Sequence, residues 1–132
     1  MTTEEKQLLL KDLCARLPYG VKVHLDTDDK NFDTDLVGLT SNITANIHNI
    51  ENYETIEECF IWNIKPYLRP MSSMTEEERK EWLLIDIETH LDNGVQVLNG
   101  EEVDFLLSHH FDYRGLIPMG LALEAPEDMY KI

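Results

Sequence analysis

The sequence predicts an α+β chain made of an N-terminal helix, a small antiparallel sheet, then two or three C-terminal helices. Leu9, Leu10, Leu13, Cys14 and Leu17 recur at helical spacing near the N-terminus. From residue 21 the apolar period changes to two, and four β-rich stretches follow within about 45 residues. Beyond two prolines, Thr75 and Glu78 form a capping-box pair that reopens helical periodicity.

Thr3-Glu4-Glu5 opens the first helix, with carboxylates in the turn where the helix dipole favours them, and Pro18-Tyr19-Gly20 closes it. VKVHLD (21–26) sets Val21, Val23 and Leu25 against Lys22, His24 and Asp26, the pattern of a half-buried strand. TDDKNFD (27–33) is turn-forming. DLVGLT (35–40), ITANIHNI (43–50) and IEECFIWNI (56–64) supply three more strands, the middle one weakened by its asparagines. These four fit a meander, whose closed form is an SH3-like barrel. KPYLRP (65–70) is expected to end the ladder, because proline has no amide to donate.

SSMTEEERKEWLLIDIETHLDNG (72–94) reads as the second helix, burying Trp82, Leu83, Ile87 and Leu91 and ending at Asn93-Gly94. VQVLNG (95–100) is a short extended piece and a turn. Asn99 is placed to cap a third helix through Val103, Leu106 and Leu107. No repeat or low-complexity linker interrupts the chain, so one domain is expected over 1–132.

Charge limits the partners. The 132 residues carry 26 acidic and 11 basic side chains, a net charge of −15. Residues 23–64 carry −8 of it and 81–132 carry −9. A field of that sign repels phosphates and anionic lipid, so neither nucleic acid nor membrane is an expected direct partner. No long apolar run spans a bilayer. The opening Met-Thr-Thr-Glu-Glu-Lys lacks the basic start of a secretion signal. Cys14 and Cys59, far apart and without a Cys-x-x-Cys, read as two reduced, buried thiols of a cytoplasmic protein, a single disulfide being the alternative.

The acidic loop Asp26–Asn31 fails as a calcium loop. Counted from Asp26, the fifth position is Lys30, the sixth Asn31 and the twelfth Val37. Asp86, Glu88, His90 and Asp92 share a face only on a strand; on the expected helix they diverge. The polar stretch at 108–114 contains His109, His110, Asp112, Tyr113 and Arg114. A metal reading takes His109, His110 and Asp112 as ligands with one distant carboxylate. The structural reading ends a helix at the histidines and makes Asp112 the cap of a new turn, with Tyr113 and Leu116 packing. No His-Glu-x-x-His, nucleophile elbow or phosphate-binding glycine loop accompanies these residues, which favours a structural or partner-contacting cluster of His109, His110, Asp112, Tyr113 and Arg114 with Tyr67 and Arg69, and indicates no cofactor.

DLCARLPYG (12–20), IKPYLRPMSSMTEEE (64–78) and SHHFDYRGLIPMGLALEAP (108–126) resemble stretches of short uncharacterised proteins of gut Bacteroidales bacteria and their phages and prophages. The resemblance covers about a third of the chain and brings no activity or cofactor with it. It implies an accessory protein in a bacterial cytoplasm. The three stretches are expected to pack together, with Tyr19, Tyr67, Leu68, Phe111 and Tyr113 in one seam. There Arg69 or Arg114 would pair with Asp112 or a backbone carbonyl.

Three functions remain in play: a non-catalytic module that binds a protein partner through an acidic face, an acidic DNA mimic that occupies a DNA-binding or defence protein, and a small metal-dependent enzyme. The first is the leading expectation.

Overall fold

The computed structural model describes residues 1–48, 56–86, 90–92, 95–97 and 100–130, with side chains placed outside 85–99. Helix α1 (Thr3–Arg16) starts from a complete capping box. The Thr2 hydroxyl accepts from the Glu5 amide, and the Glu5 carboxylate accepts from the Thr2 amide. A short 3-10 turn, Leu17–Tyr19, and Gly20 in the left-handed region at φ +73° end it. Its buried face is Leu9, Asp12, Leu13 and Arg16. Cys14 is exposed, which corrects its expected place on the apolar stripe. Both cysteines are free thiols.

Strands β1 (Lys22–Asp26), β2 (Asn31–Leu39), β3 (Thr44–His48) and β4 (Ile56–Phe60) form the expected meander. β2 begins at Asn31, earlier than the turn-rich sequence suggests, because Asn31, Phe32 and Asp33 pair with Asp26, Leu25 and His24. Residues 49 and 50 of the expected third strand lie outside the described residues.

Two corrections change the architecture. β5 (Ile64–Leu68) runs straight through Pro66, which stands opposite Val23 of β1. The strand tolerates the missing amide because at residue 66 only β1 flanks it. The parallel strand β8 (Leu123–Glu124) pairs with Tyr67 and Leu68 alone. Among the described residues the sheet order is therefore β4-β3-β2-β1-β5-β8, six strands in an open mixed sheet, not a closed barrel and not small. β5 returns beside β1 instead of closing onto β4, which leaves the sheet open.

Helix α2 (Glu76–Asp86) has the expected capping box of Thr75 and Glu78. It stops at Asp86. β6 (His90–Asp92) then pairs antiparallel with β7 (Val95–Val97), so the helix does not reach residue 92. The period-two alternation from 85 to 92 and the Asn-Gly at 93–94, a preferred two-residue hairpin sequence, outweigh the helical reading. Leu83 is exposed, against expectation. Ile87, Asn93, Gly94, Asn99 and the side chain of Leu91 lie outside the described residues. α3 (Gly100–Ser108) buries Glu102, Phe105, Leu106 and Leu107.

Leu9 and Leu13 of α1 pack on the sheet face bearing Val23, Leu25, Ile47, Ile64 and Leu68. A second cluster, Phe105, Leu106 and Phe111 with Trp82 and Met74, joins α2 to α3. No described helix is long and apolar enough to cross a membrane.

Candidate functional site

The polar stretch after α3 is a chain reversal. His110 stands at φ +63°. The Phe111 amide donates to Leu106 O (2.8 Å) and the His110 amide to Leu107 O (3.0 Å). Those bonds make a Schellman ending with histidine where glycine is usual, and Phe111 packs on Leu106 as the motif requires. His109 turns back along the helix, its Nδ1 2.9 Å from Phe105 O, its ring stacked on Phe105. The His110 ring stacks on Tyr130 at 3.7 Å. Burial first, then the Arg16, Arg69 and His109 charges, lowers its pKa to about 4, so it is neutral at pH 7. Asp112 is buried and accepts from the Leu116 and Ile117 amides at 2.8 and 2.9 Å, pinning the turn that contains Gly115. The expected new turn is present, but no helix follows it among the described residues.

Arginines from the three resembling stretches converge here. Arg16, without solvent exposure, donates from Nε to Asp12 Oδ2 (2.7 Å) and from Nη2 to Phe111 O (2.7 Å). Arg114 Nη1 donates to the other oxygen of Asp12 at 2.9 Å and lies over the Tyr113 ring. Arg69 makes a two-pronged pair with Glu78, both bonds 2.7 Å, and lies 4.4 Å over the Phe111 ring. That pair first, with the Thr75 amide, holds Glu78 down at about 2. Backbone bonds from Arg69 N to His110 O and from Asp112 N to Arg69 O close a parallel bridge.

The three stretches therefore do meet, and Arg69 makes the expected bond to a backbone carbonyl, donating to His109 O (3.4 Å) and to Ser73 O (3.1 Å), while the other partners differ from those expected. Asp112 takes backbone amides instead of an arginine, and Arg114 goes to Asp12. Tyr19 lies on the surface and donates to Asp104 (3.1 Å). Tyr67 turns to the other sheet face. Among the described residues no three His, Cys, Asp or Glu side chains are placed to hold a metal ion. His109, His110 and Asp112 point to three different partners.

Sequence reasoning missed Asp12 and Arg16, whose i,i+4 spacing was the available signal. It also missed a network on the open sheet face. His24 and Asp33 are cross-strand partners, with Nδ1 2.6 Å from Oδ1, and Tyr67 donates to the same oxygen at 2.7 Å. Burial alone would raise the Asp33 pKa, but the bonds from Tyr67 and His24 lower it. Burial and then Asp33 push the Tyr67 phenol up to about 12. A carboxylate only accepts, so the imidazole proton sits on Nδ1. The adjoining hollow of about 150 Å³ is lined by Lys22, Asp33, Thr34 and Asp35. Lys22 is paired with Asp35 (2.9 Å), and the Thr34 hydroxyl donates to His48 O. The dyad thus has no activated hydroxyl or thiol among the described residues that line this hollow. Alternation at 22/24 and 33/35 would have placed these four residues on one face.

An exposed apolar surface lies at the far edge of the sheet, besides Leu83 and Leu84 of α2. Ile56 and Phe60 of β4 are 53% and 45% exposed, and neighbouring Ile43 is 48% exposed. Among the described residues β4 pairs with β3 alone. Phe60 stacks on Trp62 at 4.6 Å. Between β4 and the β1–β2 turn is a cleft of about 270 Å³. Burial, then Glu57 and Glu58, pushes the Cys59 thiol in its lining up to about 11, so it is a poor nucleophile at neutral pH.

No known protein family, curated protein or solved structure matches the chain.

Proposed function

We propose that the chain is a non-catalytic interaction module that engages a basic segment of a partner protein along the free edge of β4. The observation that carries this reading is the exposed row Ile56, Glu58, Phe60 on an edge strand of a chain with net charge −15. An edge strand offers unpaired backbone groups, and an apolar row gives an incoming strand something to bury. Glu58 in that row, with Glu57 next to it on the other face, discourages like-charged strands and favours a basic one. The polar residues after α3 fit a structural clamp, since His109, Asp112 and Arg114 bond within the chain, while His110 Nδ1 and the Tyr113 hydroxyl are buried without a hydrogen-bond partner among the described residues. The setting belongs to the same proposal: a bacterial cytoplasm, with the chain encoded by a phage or mobile element, as the three resembling stretches suggest.

The DNA-mimic alternative asks for carboxylates in an uninterrupted row. On the open sheet face Asp33 and Asp35 are interleaved with His24 and Lys22, which does not favour it.

Affinity capture from host cytoplasm tests the reading when the native chain is compared with an Ile56→Lys/Phe60→Lys variant of equal thermal stability. A protein retained by the native chain and lost by the variant supports it. A protein retained equally by both contradicts it.

A further inference from the structure

We infer that the cleft beside β4 receives one lysine or arginine side chain of the docked segment. This inference rests on the edge-docking reading and names its specificity determinant. The cleft is lined by Leu25, Cys59 and Phe60 and by the acidic residues Asp29, Glu57 and Glu58. Side chains alternate along a strand, so Glu57 and Cys59 leave one face of β4 while Glu58 and Phe60 leave the other. The cleft therefore draws on both faces of the edge strand and on the β1–β2 turn. At about 270 Å³ it falls just below the range of drug-sized ligand pockets, about 300–1,000 Å³, and suits a single side chain.

Its lining is mixed in a way that selects chemistry. Long basic side chains bury an apolar stem and keep a cationic head among acceptors. Three carboxylates here face one cation of the lining, Lys30, which is bonded to Glu57. The chain's own lysine thus already makes the contact that an incoming one would make with Asp29 or Glu58. A carboxylate side chain would meet repulsion, and an apolar one would bring no cation to Asp29 and Glu58. A strand added to β4 presents every second side chain to one side, so a residue of the docked segment can be aimed at the cleft. A second copy is the wrong occupant, because pairing β4 with itself sets Glu57 and Glu58 against their own kind.

Titration of the labelled chain with two acetylated, amidated peptides, followed by amide chemical shifts, is the test. Both alternate valine and threonine; one has a central lysine, the other norleucine. At low salt the lysine peptide is expected to shift amides of 27–30 and 56–60 and to bind about fivefold tighter than the norleucine peptide. An Asp29→Asn/Glu58→Gln variant, altered at two exposed positions, should erase that ratio. Equal binding of both peptides at β4 overturns the side-chain inference and leaves edge docking standing. No shift at β4 with either peptide overturns both. Self-association of the native chain that Phe60→Lys abolishes assigns the edge to a second copy and also overturns the inference.

Discussion

The guanidinium of Arg16 donates to the backbone carbonyl of Phe111 at 2.7 Å, joining the end of the first helix to the reversal after the third across 95 residues of sequence. Asp12 holds the same arginine and is itself held by Arg114, so a buried carboxylate sits between two guanidiniums. Removing one partner of a buried charge pair costs more than the pair contributes when intact, because the survivor stays desolvated. Arg16→Met is expected to lower stability by about 3 kcal/mol in urea unfolding. A loss within a few tenths of a kcal/mol would mean that the clamp does not hold the fold.

The left-handed backbone at His110 gives a sharper comparison. His110→Gly and His110→Ala lose the same imidazole and its stacking on Tyr130. They differ in tolerance of φ +63°. The glycine variant should be more stable by about 1 kcal/mol. Equal or reversed stabilities would contradict the Schellman ending.

Acid should loosen the same region. The His110 pKa is about 4 when folded and 6.5 ordinarily, so between these values the unfolded chain binds more protons. Stability attributable to this residue is full above pH 6.5 and is lost as pH falls toward 4. Glu78, held near 2 against 4.5, adds a loss that begins below pH 4.5. Denaturant midpoints should therefore fall between pH 6.5 and 4 in the native chain and fall less in His110→Gly. An identical profile in both would remove His110 as the source.

The two thiols should separate chemically. Cys14 is exposed, whereas the Cys59 thiol is raised to about 11. Iodoacetamide at pH 8 is expected to label Cys14 first, with Cys59 reacting more slowly because little of it is thiolate, as peptide mass spectrometry would show. Equal labelling rates in the folded chain would contradict the raised pKa of the Cys59 thiol.

Much of the local structure could be read from the chain. Thr75 with Glu78, Val23 with Leu25, and the helix end at Ser108 each follow from residues a few positions apart. Asp112 was legible as the residue that organises the following turn. What escaped depends on distant neighbours. Pro66 is allowed in β5 because of where β8 stops pairing, which lies 57 residues away at Leu123. Arg16 is buried with Nε bonded to Asp12 and Nη2 to the carbonyl of Phe111, and no local pattern announces that carbonyl. The hairpin at 90–97 lost to a strong upstream cap, although its alternation was visible. The His24–Asp33–Tyr67 network was within reach of the same alternation, but its meeting point needs β5 beside β1.

Chemical-shift mapping of the lysine peptide on the labelled chain tests the division of labour most directly. The account predicts perturbed amides in the β1–β2 turn and β4 and none between Phe105 and Leu116. Perturbations centred on His109, His110 and Asp112 would contradict it, because a clamp that binds ligand is a site.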